Sequence, residues 1–249
     1  MLDSICSYLD GFLRIKEIED YPNALNGLQI ENDGRVTGIG AAVDASEAVI
    51  EMAAGQQVDL LLVHHGLFWG GLARLTGPQF RKFRRAISSN LAIYSAHLPL
   101  DIHPQIGNNI LLARRLELGE PEPFFLLKGQ NLGFAIATQI DRDKLLHRLK
   151  EVLGREVWAC LGGPQQVGRI GIVTGGAGSQ VEKAVAEGVD TFITGEGPHH
   201  TFSLAEELGI NLIYGGHYAT ETFGVRALAE VIAAKFGLPW TFLDHPSGL

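Results

Sequence analysis

Only two cysteines stand in the 249 residues, Cys6 and Cys160. That excludes a disulfide framework and a cysteine-rich zinc site. Long apolar runs are missing as well: Asp59-Leu-Leu-Leu-Val63, among the strongest, is far too short to span a bilayer. Asp3 and Asp10 interrupt the first ten residues, so no signal peptide and no membrane partner are expected, and the chain reads as cytoplasmic. Charge is sparse, at 19% of residues, and its balance is wrong for a nucleic-acid backbone: 20 basic against 28 acidic residues give −8. Sparse charge with 46% hydrophobic residues argues against disorder, and the length suffices for a packed interior as one large or two small domains. The 31 glycines follow no collagen-like period and should mark tight turns around strands. There is no G-x-x-x-x-G-K-S/T loop, G-x-S-x-G elbow or H-E-x-x-H helix, which removes the common nucleotide-hydrolase and serine-hydrolase routes.

What is present is an internal repeat. Residues 39–66 (IGAAVDASEAVIEMAAGQQVDLLLVHHG) align without gaps on residues 170–197 (IGIVTGGAGSQVEKAVAEGVDTFITGEG), matching Val58-Asp59 to Val189-Asp190. Each copy reads as a short apolar strand, a small-residue turn, a helix and a second strand ending in polar residues. The echo resumes further on, where Asn90-Leu-Ala-Ile-Tyr-Ser-Ala-His97 matches Asn211-Leu-Ile-Tyr-Gly-Gly-His217 with one residue deleted. His97-x3-Asp101 then matches His217-x3-Glu221. Two long copies point to a duplicated α/β domain rather than a solenoid, with mostly parallel sheets covered on both faces.

The two prolines between Glu120 and Pro123 mark the expected boundary, giving domains over 1–122 and 123–249. In the second domain Leu132 to Gln139 and Trp158 to Leu161 read as strands, and Arg142 to Leu153 as an amphipathic helix. A last helix over 222–236 stops at Gly237, with Pro239 beyond. Whether it packs on the second domain or returns to the first stays open.

Ligands of parallel α/β sheets bind at the carboxyl ends of strands, where the polar residues of both copies fall. His64 and His65 follow one strand, His97 and Asp101 another, His217 and Glu221 a third. Imidazole and carboxylate together suit zinc, iron, manganese, nickel or cobalt, and six such groups exceed the needs of one ion. Two divalent ions bridged by a carboxylate would use them, with a bridging hydroxide or an anionic substrate balancing the remaining charge. Strand alternation points His64 and His65 apart, so both face one site only through a turn at Gly66. Three weaker features are open to two readings each. Gly175-Gly176-Ala177-Gly178 is a tight turn or an anion cradle, and Arg81-Lys-Phe-Arg-Arg85 is a solvated face or a phosphate clamp. His199-His200, in Glu196-Gly-Pro-His-His200, supports the metal ligands or supplies a general acid.

In order and spacing, Val63-His-His-Gly-Leu-Phe68, Ser95-Ala-His-Leu-Pro-Leu-Asp101, Thr194-Gly-Glu-Gly-Pro-His-His-Thr201 and Gly215-Gly-His-Tyr-Ala-Thr-Glu221, with Asn26-Gly-Leu-Gln29, form one pattern. It resembles the NGG-one-interacting-factor-three-like family, often labelled GTP cyclohydrolase I type 2 homologues. The resemblance implies two similar α/β domains with a dinuclear metal site at their interface, two divalent ions per subunit, and the ligands His64, His65, Asp101, His217 and Glu221. It places His97 beside the ligands as a supporting residue, and leaves His97, His200 and Glu196 as acid/base or supporting candidates. Glu196 stands where many members carry Asp, so a role that needs the shorter side chain is in doubt there. The resemblance also implies a toroidal homohexamer, a trimer of dimers. The activity it implies is hydrolysis of a small nucleotide-like or phosphorylated substrate, with GTP ring opening by a metal-bound hydroxide as the inherited example. The alternative is a non-catalytic metal-binding or ring-scaffold protein.

Overall fold

The runs Ile39–Asp44, Leu60–His65 and Ala92–Ser95 are buried almost throughout, as strands covered on both faces must be. In the computed structural model, which describes residues 1–71, 73–127 and 129–249, they form the parallel centre of a five-stranded sheet. Numbering strands along the chain, its members are β1 (Gly27–Ile30), β2 (Ile39–Asp44), β3 (Leu60–His65), β4 (Ala92–Ser95) and β11 (Trp240–Phe242), in the order β1-β4-β3-β2-β11. β1 runs antiparallel to β4 and the rest are parallel. Ile50, Ala53, Val58, Leu61, Val63, Leu91, Ile93 and Leu243 share the core of this half. Helix Glu47–Gly55 between β2 and β3 starts at Ser46, whose hydroxyl accepts the Val49 N–H at 3.2 Å.

The second sheet holds β5 (Glu122–Leu127), β6 (Gln130–Asp141), β7 (Trp158–Leu161), β8 (Gln166–Ile172), β9 (Thr191–Thr194) and β10 (Asn211–Tyr214), in the order β5-β6-β8-β9-β10-β7. Its centre, β8-β9-β10, is parallel, while β5, β6 and β7 extend it antiparallel. The expected helix over Arg142–Leu153 is present. Asp141 caps its N-terminus by accepting from Asp143 and Lys144, and Gly154, at φ 67°, ends it in the left-handed conformation. The fold is therefore mixed α/β with two sheets. Among the described residues no helix is long and apolar enough to cross a membrane.

The duplication survives at atomic detail. Asp59 Oδ2 accepts the backbone N–H groups of Thr37 (2.6 Å) and Gly38 (3.2 Å). Asp190, 131 residues on, accepts those of Gly168 (2.8 Å) and Arg169 (3.1 Å), which are the equivalent positions. One carboxylate thus holds the two residues just ahead of the parallel ladder in each copy, which begins at Ile39 and at Ile170. The ladders also correct the sequence alignment. β3 pairs Leu60 with Ala92 and β9 pairs Thr191 with Asn211, so Asn211 corresponds to Ala92 and not to Asn90. The length difference falls after the strands, in the loops that carry His97 and His217, where no ladder holds register.

The chain divides into two compact units, Met1–Leu100 with Gly224–His245, and Asp101–Phe223 with Pro246–Leu249. This differs from the boundary expected at 122–123 in two ways. Helix Asn108–Arg115 buries Leu112 and Ala113 in the core of the second unit, with Ile136, Ile170, Ile193 and Ile213. Helix Thr222–Phe236 begins in the second unit, belongs to the first from Gly224, and leads to β11, which pairs with β2.

Candidate metal centre

The first unit carries three imidazoles at the carboxyl ends of its parallel strands. β3 runs two residues further than expected and includes His64 and His65. Even so, the rings of His64, His65 and His97 have centroids 4.7 to 5.7 Å apart, and one ring nitrogen of each lies within 4.8 Å of the others. Each ring is held through Nδ1. His64 Nδ1 donates to the Ala96 carbonyl at 2.9 Å. His65 Nδ1 donates at 2.9 Å to Asp44 Oδ1, its direct cross-strand partner on β2. His97 Nδ1 donates at 2.9 Å to Asp20 Oδ1. With the proton placed on Nδ1 three times over, Nε2 is the atom each ring would give a metal, the arrangement in which imidazole ligands are ordinarily held.

The motif Asn26-Gly-Leu-Gln29 explains how those loops keep their shape. Asn26 accepts the His97 N–H at 2.7 Å and donates to Asp20 Oδ2 at 2.7 Å, and Asp20 Oδ2 also accepts the Leu98 N–H at 2.9 Å. Burial works against the charge on Asp20, but His97, Asn26 and the Tyr21 N–H hold its carboxyl below the usual range. Gln29 Oε1 accepts the Leu67 N–H at 2.7 Å, and its amide lies so close over Gly66 that a Cβ there would meet it at 2.3 Å. The glycine after His65 is thus required by the Gln29 clamp.

The second unit carries carboxylates. Asp101 and Glu221 are 7% and 3% exposed, with oxygens within 4.8 Å of each other. Asp101 Oδ1 accepts from Asn108 Nδ2 at 2.8 Å and from Thr174 at 3.5 Å. His217 lies between two acids: Nδ1 is 2.9 Å from Glu196 Oε1 and Nε2 is 3.2 Å from Glu221 Oε2. Burial opposes charge on this ring, but Glu221 and then Glu196 outweigh it and push it up to about 9. Carboxylates at both nitrogens favour the protonated ring, a single positive charge set against Glu196, Glu221 and, beside Glu221, Asp101.

The weaker candidates resolve differently. Gly175 N donates to Thr220, Ala177 N to Thr194 and Gly178 N to the Glu196 carbonyl, so the glycine loop spends these donors internally and is a tight turn, not an anion cradle. Arg81 pairs bidentately with Glu47, and Arg85 pairs with Glu51, on the neighbouring helix, so these two guanidinium groups of the basic run belong to a salt-bridged surface. His199 and His200 are exposed ahead of helix Thr201–Leu208, whereas Glu196 occupies the position equivalent to His65 and binds His217. The sequence reading missed Asp20 and Asp44, which stand 77 and 21 residues from the imidazoles they hold.

A family model described as Duf34/NIF3 (NGG1p interacting factor 3) matches residues 1–247. A Deinococcus radiodurans protein named GTP cyclohydrolase 1 type 2 homolog is 41% identical over 250 residues, covering 99% of this chain and 94% of that protein. A protein of the same name from Pyrococcus horikoshii is 39% identical, covering 99% of both. The crystal structure of TTHA1606 from Thermus thermophilus superposes with a TM-score of 0.92 at 40% identity, covering 100% of this chain and 99% of the other.

Proposed function

The chain belongs to the Duf34/NIF3 (NGG1p interacting factor 3) family, and from that premise we propose that it holds two divalent metal ions and hydrolyses a small nucleotide-like or phosphorylated compound. The observation that carries the reading is the set of three imidazoles tethered through Nδ1 to Ala96, Asp44 and Asp20. Buried imidazoles are hydrogen-bonded in any fold, so what sets these apart is convergence: one ring nitrogen of each lies within 4.8 Å of the other two. The buried carboxylates fit the same reading. Two anionic groups within 4.8 Å of each other and nearly out of water need positive charge beside them.

His64, His65, Asp101, His217 and Glu221 are the residues that would hold the ions, and His97, which the resemblance places in support, would join them as a further donor because its ring nitrogen lies with those of His64 and His65. When bound, divalent ions supply Lewis acidity and a nucleophile at neutral pH. The chain's own contribution is orientation and proton management. Asp20 and Asp44 keep the imidazole proton on Nδ1, Asn108 fixes the rotation of the Asp101 carboxylate, and Glu196 retains the His217 Nδ1 proton when Nε2 is engaged. The printed name of the Deinococcus and Pyrococcus relatives supports a nucleotide such as GTP as the first substrate to try. A toroidal homohexamer in the cytoplasm belongs to the same proposal, and mass measurement in solution tests its assembly.

The test is elemental analysis of protein purified without added metal, followed by incubation with GTP and a panel of nucleotides and phosphoesters. We expect about two ions per chain and turnover abolished by Glu221→Ala. Ions in place with no turnover of any substrate would refute the hydrolase and leave a metal-holding protein. Turnover untouched by Glu221→Ala would remove the site from the chemistry.

A further inference from the structure

Beside the imidazole cluster stands a pair of aromatic rings, Tyr21 and Trp69. Trp69 meets His97 edge-on at 4.6 Å between centroids and His65 at 5.7 Å. Tyr21 lies 6.0 Å from His97 and 6.3 Å from Trp69, and it is 53% exposed. Both rings are placed by structure belonging to the donors themselves. Tyr21 follows Asp20, the carboxylate that holds His97, and Trp69 lies four residues beyond His65. Asn23 ties the two segments together by donating to the Trp69 carbonyl at 3.2 Å.

Packing alone does not account for the pair. An exposed tyrosine alone is ordinary; what sets this pair apart is its placement, with both rings against His97. Nor is the tryptophan positioned for its polar handle. Its indole N–H is screened from solvent and meets no acceptor among the described residues, an arrangement that buried tryptophans usually avoid. What the site retains is the ring itself, set against His65 and His97.

We propose that Tyr21 and Trp69, inclined at 56° to each other, form a stacking shelf for a flat nitrogen heterocycle, one ring offering its face and the other closing the side, which seats the aromatic part of the substrate next to the imidazole cluster. This rests on the hydrolase reading above and narrows it: among small phosphorylated compounds, those with a heteroaromatic ring are preferred over sugar phosphates. Stacking is tolerant of ring identity because every base has a π-face, so selectivity among purines is not the shelf's task.

The experiment measures binding of guanosine, adenosine and ribose 5-phosphate by calorimetry to the full chain, metal-free and metal-loaded, with metal content determined on the same samples. Variants are Trp69→Leu, Trp69→Phe and Tyr21→Ala. Both nucleosides should bind more tightly than ribose 5-phosphate. Trp69→Leu should weaken them about tenfold or more, Trp69→Phe should restore most of the affinity, and ribose 5-phosphate should not respond. Nucleoside affinity unchanged in both Trp69→Leu and Tyr21→Ala, or equal affinity for ribose 5-phosphate and guanosine, would overturn the shelf. Protein without divalent ions would sink the hydrolase reading separately, since nucleoside binding is read in the metal-free protein as well. A tryptophan signal confined to position 69, obtained with Trp158→Phe and Trp240→Phe, gives a second readout. Quenching by nucleosides supports the shelf, and a saturating ligand that leaves this signal unmoved refutes it.

Discussion

Replacing Asp20 by Asn changes one atom and should move a proton across the His97 ring. Asp20 accepts on both oxygens: Oδ1 from His97 Nδ1 at 2.9 Å and the Tyr21 N–H at 2.6 Å, Oδ2 from Asn26 at 2.7 Å and the Leu98 N–H at 2.9 Å. An amide offers one accepting end. Turned toward Asn26 and Leu98 it satisfies two donors, presents its NH2 to His97 and leaves one fixed donor, the Tyr21 N–H, without its acceptor. The imidazole can then respond by accepting at Nδ1 and carrying its proton on Nε2. The opposite rotamer sets the NH2 against two donors that cannot change, so the first arrangement wins. Losing charge assistance on these contacts should cost about 2 kcal/mol of folding stability. A metal, however, would meet an N–H where a lone pair is required, and affinity at this donor should fall ten- to a hundredfold, about 1.4–2.7 kcal/mol. The assay is metal titration by calorimetry beside urea unfolding of the metal-free protein, with 15N shifts of the His97 ring reporting the tautomer. If Asp20→Asn folds, shows the proton on Nε2, and still binds metal as tightly as wild type, then His97 is not a ligand and the tethering argument fails for it.

Other expectations follow from individual contacts. Gly175→Ala places a Cβ 2.2 Å from Glu221 Oε1 at a φ of 72°, so it should cost about 2–3 kcal/mol in urea unfolding and displace Glu221 from His217. Gly176→Ala, whose Cβ would meet nothing nearer than 3.6 Å, should cost less than about 1 kcal/mol; equal losses would refute the steric account. Asp190→Ala and Asp59→Ala remove equivalent pins from two half-buried carboxylates, and by the same assay each should cost about 1–2 kcal/mol; a loss confined to one variant would refute their equivalence. Cys6, pushed up to about 11 by burial and then by Asp10 and Asp3, should alkylate slowly at pH 8. Its rate should keep rising tenfold per pH unit past pH 9, followed by mass spectrometry; a plateau near pH 9 would contradict the raised value. The raised value also means that the folded form holds this proton more tightly than the unfolded form. The thiol's contribution to stability is therefore complete below about pH 9 and is lost as pH climbs towards 11.

The duplicated Asp59 and Asp190 show why repetition is visible in the sequence and its purpose is not. Val58-Asp59 and Val189-Asp190 align by inspection, yet each carboxylate acts on backbone 21 or 22 residues earlier, at glycine and other positions whose side chains carry no signal. Glu196 is similar. Its place in the repeat against His65 follows from counting, but its bond to His217 needed the β9 and β10 loops in three dimensions.

Local chemistry in the sequence determined the strands, the helices and the repeat: unbroken apolar runs, Ser46 and Asp141 as caps, Gly154 as a stop, and metal-type donors after strand ends. These features depend on residues near one another in the chain, so they leave a readable pattern. Tertiary structure alone decided that the chain after Gly224 returns to pair β11 with β2, that Asn108–Arg115 joins the second core, and that Asp20, Asp44, Asn26 and Gln29 serve the imidazole loops. The reason is physical. A hydrogen bond across tens of residues requires only a donor and an acceptor to meet, and neither marks its partner in the linear chain.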